Sequence, residues 1–328
     1  MHTNSASPTI ISPKASVSVI KGELVQEVVQ KFNPWLSQVI RLYNDTDFVE
    51  FDWIVGPLPE GQDLEVITRF ETNFENENTF YTDSNGRQTL ERVRDFRNSY
   101  NLSTEEKVSS NYYPINGWIF IRDLSNDLQL TVLSDRPQGG SSLEEGSVEL
   151  MIHRRLSRDD SYGMEEALDE LGFDGKGLVV RGKHILMLSR DSNSLRQVRK
   201  MSQLLQRKPL PLFTNESKPN VHNSGIGLSH AIDDCLNVLT LEELSENNIL
   251  LRLEYIYQFE ETETKYVLLN EFFSNMEVID VIETSLSGIE SISEVELKRF
   301  DWNCVECKKL IESKVFSIFL STLEISLL

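Results

Sequence analysis

The sequence predicts a mainly β protein organised as an antiparallel sandwich, and three observations predict it. Apolar and polar residues alternate with a period of two in many short runs, Asn-Gly and Gly-Gly pairs punctuate those runs, and only one segment carries a convincing helical period. In the clearest run, Val49, Phe51, Trp53 and Val55 share one side while Glu50 and Asp52 occupy the other. Successive side chains of an extended chain point to opposite faces, so this run reads as a half-buried strand.

Comparable runs lie at 24–32, 35–43, 64–70, 118–122, 128–133, 148–153 and 178–188. Many such strands separated by turn signals argue for an antiparallel sandwich. Asn85-Gly86, inside FYTDSNGR, is the dipeptide that tolerates two consecutive positive φ angles, so a tight hairpin is expected there. Gly139-Gly140 reads as a second turn. The helix is expected over 193–207, where Leu195, Val198, Met201 and Leu205 recur at spacings of three and four, with Asp191 or Ser192 as the N-cap. It stops before Lys208-Pro209.

Pro209, Pro211 and Pro219 lie among polar residues, which is the chemistry of a linker. Beyond it, runs at 249–259, 264–269, 276–282 and 289–297 predict a second, smaller β unit. The expected organisation is an unassigned segment 1–20, a sandwich over 21–208, a linker over 209–232, a small β domain over 233–299 and a tail over 300–328.

Composition narrows the function classes. A chain of 328 residues, 39% apolar and 26% charged, can bury a sizeable core. Its formal charge of −20 opposes binding to nucleic acid phosphates or to anionic membrane surfaces, so neither is expected as a partner. Residues 1–17 lack the apolar core of a secretory signal, and the apolar run 315–328 is short of the roughly 20 residues a membrane-spanning helix needs. Three cysteines, Cys235, Cys304 and Cys307, make no disulfide framework, and Cys304-Val-Glu-Cys307 is a lone CxxC without a second pair.

Four segments carry a resemblance to a known family: FYTDSNGR from Phe80, RVRDFR from Arg92, NYYPIN from Asn111, and QGGSSLEEGSVELMIHRRLSRDD from Gln138. In order and spacing they resemble the C-terminal portion of lysosomal-type α-mannosidases, glycoside hydrolase family 38. The likeness continues more loosely through WLSQVIRLYND from Trp35, VGPLP from Val55 and GLVVRGKHILML from Gly177, and runs from about Gly22 to Leu297. It implies a supersandwich of the galactose mutarotase type, truncated at its N-terminal end, followed by a small C-terminal β domain. It also implies hydrolysis of terminal α-linked mannose on N-glycans, a zinc ion, a lysosomal location and a catalytic domain preceding this portion. First strands missing before Gly22 would leave a sheet edge unpaired.

A retaining glycosidase needs two carboxyl groups about 5 to 5.5 Å apart across the scissile bond. The family's zinc site is implied to begin with an HxD pair. None of the five histidines, His2, His153, His184, His222 and His230, precedes an aspartate by two, so zinc ligands and nucleophile are expected outside this chain. His222 and His230, with Asp233 and Asp234, have no recognised ligand spacing. Adjacent Asp159 and Asp160 do not place themselves across a glycosidic bond.

The most chemically loaded segment is HRRLSRDD, 153–160. The resemblance implies an arginine reaching the mannose pocket, with Arg154 or Arg155 as the match; strand alternation puts the two on opposite faces, so at most one can do so. An Arg and Asp network that docks the sandwich on the catalytic domain is the alternative. Tyr112, Tyr113, Pro114 and Trp118 could stack on a sugar, although core packing is the commoner use of such residues. Arg92, Arg94 and Arg97 form a short basic cluster that could pair with acidic surface elsewhere or bind a partner, although a solvated face is the commoner reading. Asn44, Asn101 and Asn215 open N-x-Ser/Thr sequons. Three functions therefore stand side by side: the non-catalytic part of an α-mannosidase, a separate carbohydrate-binding or structural module, and an independent hydrolase using Asp159 and Asp160.

Overall fold

The computed structural model describes residues 8–103, 106–159, 161, 163, 165–213, 215, 227–245, 248–258, 266–274, 276–298, 300 and 315–322. The chain divides into two compact units, Met1–Lys208 and Pro209–Leu328.

The first unit is a sandwich of two antiparallel sheets. In chain order its strands are β1 (Ser16–Lys21), β2 (Val25–Asn33), β3 (Leu36–Tyr43), β4 (Phe48–Val55), β5 (Leu64–Glu71), β6 (Thr79–Ser84), β7 (Gln88–Val93), β8 (Tyr113–Ile115), β9 (Trp118–Asp123), β10 (Leu128–Ser134), β11 (Gln138–Ser141), β12 (Ser147–Arg155) and β13 (Val180–Arg190), followed by helix α1 (Asp191–Gln206). The large sheet runs β1-β2-β3-β4-β13-β10-β9-β6-β7 and the small one β5-β12-β11-β8. The eight runs of alternating residues each coincide with a strand.

Period-two alternation explains how the large sheet is buried on both sides. From β9, Ile119 and Ile121 join Phe80, Leu130, Val132, Val148 and Leu150 in a core between the two sheets. Trp118 and Phe120, one residue out of phase, join Leu133, Ile185 and Met187 on the other face. There α1 covers them with Val198 and Leu205, and with Leu195 and Met201 packed alongside. These are the four residues whose spacing marks the helix in the sequence. Burying each such side chain contributes about 1.5 to 3 kcal/mol. The helix begins at Asp191, one or two residues before the expected start. Extended Arg190 stands at its cap without a side-chain hydrogen bond, in place of Asp191 or Ser192.

The polar side of β4 is not solvated. Glu50 is buried, and Arg41 of β3 donates to Glu27, Glu50 and Asp52 at 2.6, 2.8 and 2.9 Å, while Lys183 of β13 meets Glu50 at 2.8 Å. Hydrogen bonds to Asp52 and then Glu27 hold Arg41 above the ordinary arginine range. A charge ladder thus replaces water across four strands.

Asn85 and Gly86 take φ of 52° and 67° in the hairpin between β6 and β7, as the dipeptide requires. Gly139-Gly140 instead lies within β11. A Cβ on Gly140 would come within 2.0 Å of Ile115 Cδ1 and 3.1 Å of the Glu149 carbonyl, so the glycine permits close strand packing where a turn was expected. Before Gly22, β1 pairs with β2 and forms the edge of the large sheet, with all six of its residues exposed.

The second unit contains β14 (Leu236–Ser245), β15 (Asn248–Tyr255), β16 (Val278–Thr284), α2 (Ile292–Lys298) and β17 (Val315–Thr322), with sheet order β14-β15-β17-β16. Four expectations change here. The run 264–269 is read as strand, whereas its described residues hold no strand and lead into a 3-10 turn at Leu269–Glu271. Residues 289–297 are read as strand, whereas 292–298 are helical; Ser291 accepts from Glu294 N and caps that turn. Residues 228–232 are read as linker, yet Leu228 bridges Phe273, and Leu228 and Ile232 pack against the core of Ile249, Leu251 and Leu253. The stretch 300–328, read as an unmatched tail, supplies β17, which pairs with both β15 and β16.

Candidate functional site

The HRRLSRDD segment begins within β12 and leaves the sandwich at that strand's end. A bulge at Ile152 shifts the register of β12 against β5, after which Arg154 stands opposite Glu65 and Arg155 opposite Leu64. The two arginines then part. Arg155 points inward, pairs through Nε with Asp169, donates from NH1 to the Leu58 carbonyl at 2.8 Å, and lies against Gly177. Arg154 keeps a side chain 48% exposed and a long 3.6 Å contact with Glu65.

Neighbouring segments fasten this end. Leu156 N donates to Leu168 O at 3.0 Å, and Asp63 accepts from Ser157 N at 2.6 Å and from its hydroxyl at 2.7 Å. Those two bonds pull the Asp63 carboxyl below the usual range. His153 Nε2 meets Leu178 O at 3.2 Å; burial lowers its pKa. Asp159 accepts from Ser161 N at 2.8 Å, and Asp160 lies outside the described residues. The returning segment, which meets His153 through Leu178 O and Arg155 at Gly177, leaves Leu171, Phe173, Leu178 and Val179 exposed.

The motifs that carry the family resemblance meet elsewhere in the sandwich. Buried Asp83 of FYTDSNGR accepts four backbone N–H groups, from Gly86 at 2.6 Å, Asn116 and Gly117 at 2.9 Å each, and Trp118 at 3.1 Å. Asn111 of NYYPIN exchanges hydrogen bonds with Asp95 at 2.7 and 2.8 Å, and its carbonyl accepts from Ser141 Oγ at 2.7 Å. Glu149, 2% exposed, meets Arg69 at 2.6 Å and the Tyr112 hydroxyl. Burial, then Glu149, pushes the Tyr112 phenol up. Burial lowers the Arg69 pKa, but Glu149 and its acidic neighbours outweigh it and the net shift is upward.

Arg92 and Arg97 are not a solvated face, since their guanidinium carbons lie 4.2 and 4.7 Å from the centre of the Tyr113 ring. Arg94 donates to the Leu143 carbonyl at 2.5 Å and to Asn78. Trp118 is fully buried in the helix-side core and Tyr113 packs against the inter-sheet core, so neither forms a surface sugar platform, whereas Pro114 is exposed.

The three described histidines stand apart from one another along the chain. His184, 1% exposed, joins the Gln138 Oε1 at 2.8 Å inside the sandwich, His153 serves Leu178 O, and His230 is exposed. Among the described residues no three His, Cys, Asp or Glu side chains gather to hold a metal. His2, His222, Cys304 and Cys307 lie outside those residues, and Cys235 is buried. Asn44, Asn101 and Asn215 are exposed, and the Asn44 amide donates to the Glu23 carbonyl. Among the described residues no helix is long and apolar enough to cross a membrane.

Fold and motif together define a class, and comparison with known proteins supplies it. Residues 1–162 match the family described as Glycosyl hydrolases family 38 C-terminal domain, and over them the chain belongs to that family. Among its relatives, the lysosomal alpha-mannosidase of Felis catus is 42% identical over 260 residues, covering 77% of this chain and 25% of that protein. An alpha-mannosidase of Canavalia ensiformis is 38% identical over 314 residues, 90% of this chain and 32% of the relative. The chain thus spans about a quarter to a third of the length of the curated relatives it matches. An alpha-mannosidase structure from Enterococcus faecalis V583 shares the fold, with a TM-score of 0.52 at 12% identity, over 74% of this chain and 30% of that one.

Asp83, Asn111, Glu149 and the segment 165–179 were not singled out by sequence reasoning. A lone polar residue inside an apolar run is the signal that could have flagged Glu149, because a buried carboxylate needs donors gathered around it.

Proposed function

We propose that this chain is the non-catalytic C-terminal part of an α-mannosidase acting on terminal α-linked mannose of N-glycans in the lysosome, with zinc and both catalytic carboxylates held by a preceding domain. Its sandwich docks on that domain through the end of β12, and Arg154 reaches toward the mannose-binding pocket. One observation carries the reading: of the two adjacent arginines at the end of β12, Arg155 is engaged by Asp169 and Leu58, while Arg154 is half exposed with only a long contact to Glu65. A guanidinium fork suits paired sugar hydroxyls or a carboxylate.

The test is complementation. The chain is co-expressed with the preceding portion of the Canavalia ensiformis relative, and hydrolysis of an aryl α-mannoside is followed. Arg154→Ala should reduce kcat/KM about tenfold or more with little change in melting temperature. Unaltered kcat/KM in a complex that still assembles would remove Arg154 from the pocket. Failure of the two portions to associate, together with tight binding of mannose by the chain alone, would favour a separate carbohydrate-binding module.

A further inference from the structure

Two arginines of the sandwich are treated differently from several of its other partly buried cations. Arg41 meets three carboxylates, Arg69 meets Glu149 and Glu144, Arg94 meets Glu145, Arg155 meets Asp169 and Lys183 meets Glu50. Among the described residues neither Arg92 nor Arg97 has a carboxylate in ion-pair reach, although the chain holds 52 acids. Both are half-buried and both guanidinium groups lie over the Tyr113 ring.

Their hydrogen bonds leave capacity unused. Arg92 Nε donates to Thr82 Oγ1 at 3.1 Å, so its two terminal nitrogens have no partner among the described residues. Arg97 donates to the carbonyls of Phe96 and Ser110. Burial above all, and also the charge of Arg97, lower the Arg92 pKa against a raising effect of Tyr113. Arginine nonetheless stays charged at any pH the protein meets, so two like charges share one ring and are partly desolvated. Beside them Phe96 and Tyr100 are 53% and 58% exposed, which offers ring faces next to the charges.

We propose that Arg92 and Arg97, arranged around Tyr113, form a binding site for a phosphate-type oxyanion, either free or carried on a sugar. Guanidinium groups present planar pairs of N–H donors that match the oxygens of phosphate, and an oxyanion bound beside them would offset the repulsion between the two charges. The site lies apart from the end of β12.

Calorimetric titration of the full chain with inorganic phosphate at low ionic strength tests this. Binding should be measurable in the wild type, weaken with added salt, and fall about tenfold or more in Arg97→Gln and in Arg92→Gln. Because Arg92 also packs on Tyr113, Arg97→Gln is the primary variant, and its melting temperature without ligand should match the wild type. A second arm uses glucose 6-phosphate. Tighter binding than phosphate assigns the site to a phosphorylated sugar resting on Phe96 and Tyr100, and equal binding assigns it to the free anion. Absence of phosphate binding, or the same affinity in both variants as in the wild type, would overturn the proposal.

Discussion

The crossing of motifs around Asp83, Asn111 and Glu149 and the end of β12 around Arg154 belong to one sandwich but spend their polar residues in opposite ways. In the crossing, buried side chains are consumed by backbone: Asp83 alone accepts four N–H groups. At the end of β12 the same kinds of residue divide, with Arg155 bound inward and Arg154 facing outward. The difference teaches that family likeness in a short motif can report internal architecture as readily as chemistry. FYTDSNGR and NYYPIN are fold-determining, and of the adjacent Arg154 and Arg155 only Arg154 is well placed to act on something else.

The sharpest way to break this contrast is Asp83→Ala. It leaves buried backbone donors unsatisfied and should cost roughly 4 kcal/mol, read as a fall in the urea midpoint at constant m-value. A loss below about 1 kcal/mol would mean that the crossing is not held by its carboxylates.

Acid should act next most strongly, through His184. Burial pulls its pKa down to about 4. The unfolded side chain titrates near its ordinary value, so between about pH 6.5 and 4 the unfolded state binds more protons than the fold. Stability is therefore full above about pH 6.5 and declines toward pH 4, by about 3 kcal/mol at most. Melting curves of the wild type and His184→Gln across that range should converge as pH falls; parallel curves would contradict the assignment.

The arginine pair sharpens the comparison at smaller scale. Arg155→Ala removes a largely buried ion pair and a bond to Leu58 and should cost roughly 2 kcal/mol. Arg154→Ala, half exposed with a 3.6 Å contact, should cost less than about 0.5 kcal/mol. Equal losses at both positions would make Arg154 as structural as its neighbour.

Much of this was legible in the sequence, and the gaps have physical causes. Alternation located β2 to β5, β9, β10, β12 and β13, and the spacing of Leu195, Val198, Met201 and Leu205 named the helix face that packs. β14 escaped notice because bulges at Leu239 and Leu244 break its two-residue period. Gly140 was mistaken for a turn because a glycine chosen for close approach to Ile115 looks, in one dimension, like a glycine chosen for φ. At the candidate site, alternation correctly set Arg154 and Arg155 apart but could not say which faced outward, since that depends on Asp169 and Leu58, distant in sequence. The basic triplet Arg92, Arg94 and Arg97 was misread for the same reason: its partners Tyr113 and Leu143 arrive from other strands and loops.

The central claim is that the sandwich supports an active site it does not contain. The most direct measurement is hydrolysis of an aryl α-mannoside by the purified chain in the presence of zinc, set against a heat-denatured control. The account predicts no turnover above that control, and turnover once the preceding catalytic portion of a family 38 relative is supplied. Zinc-dependent hydrolysis by the chain alone, lost on Asp159→Asn, would contradict it.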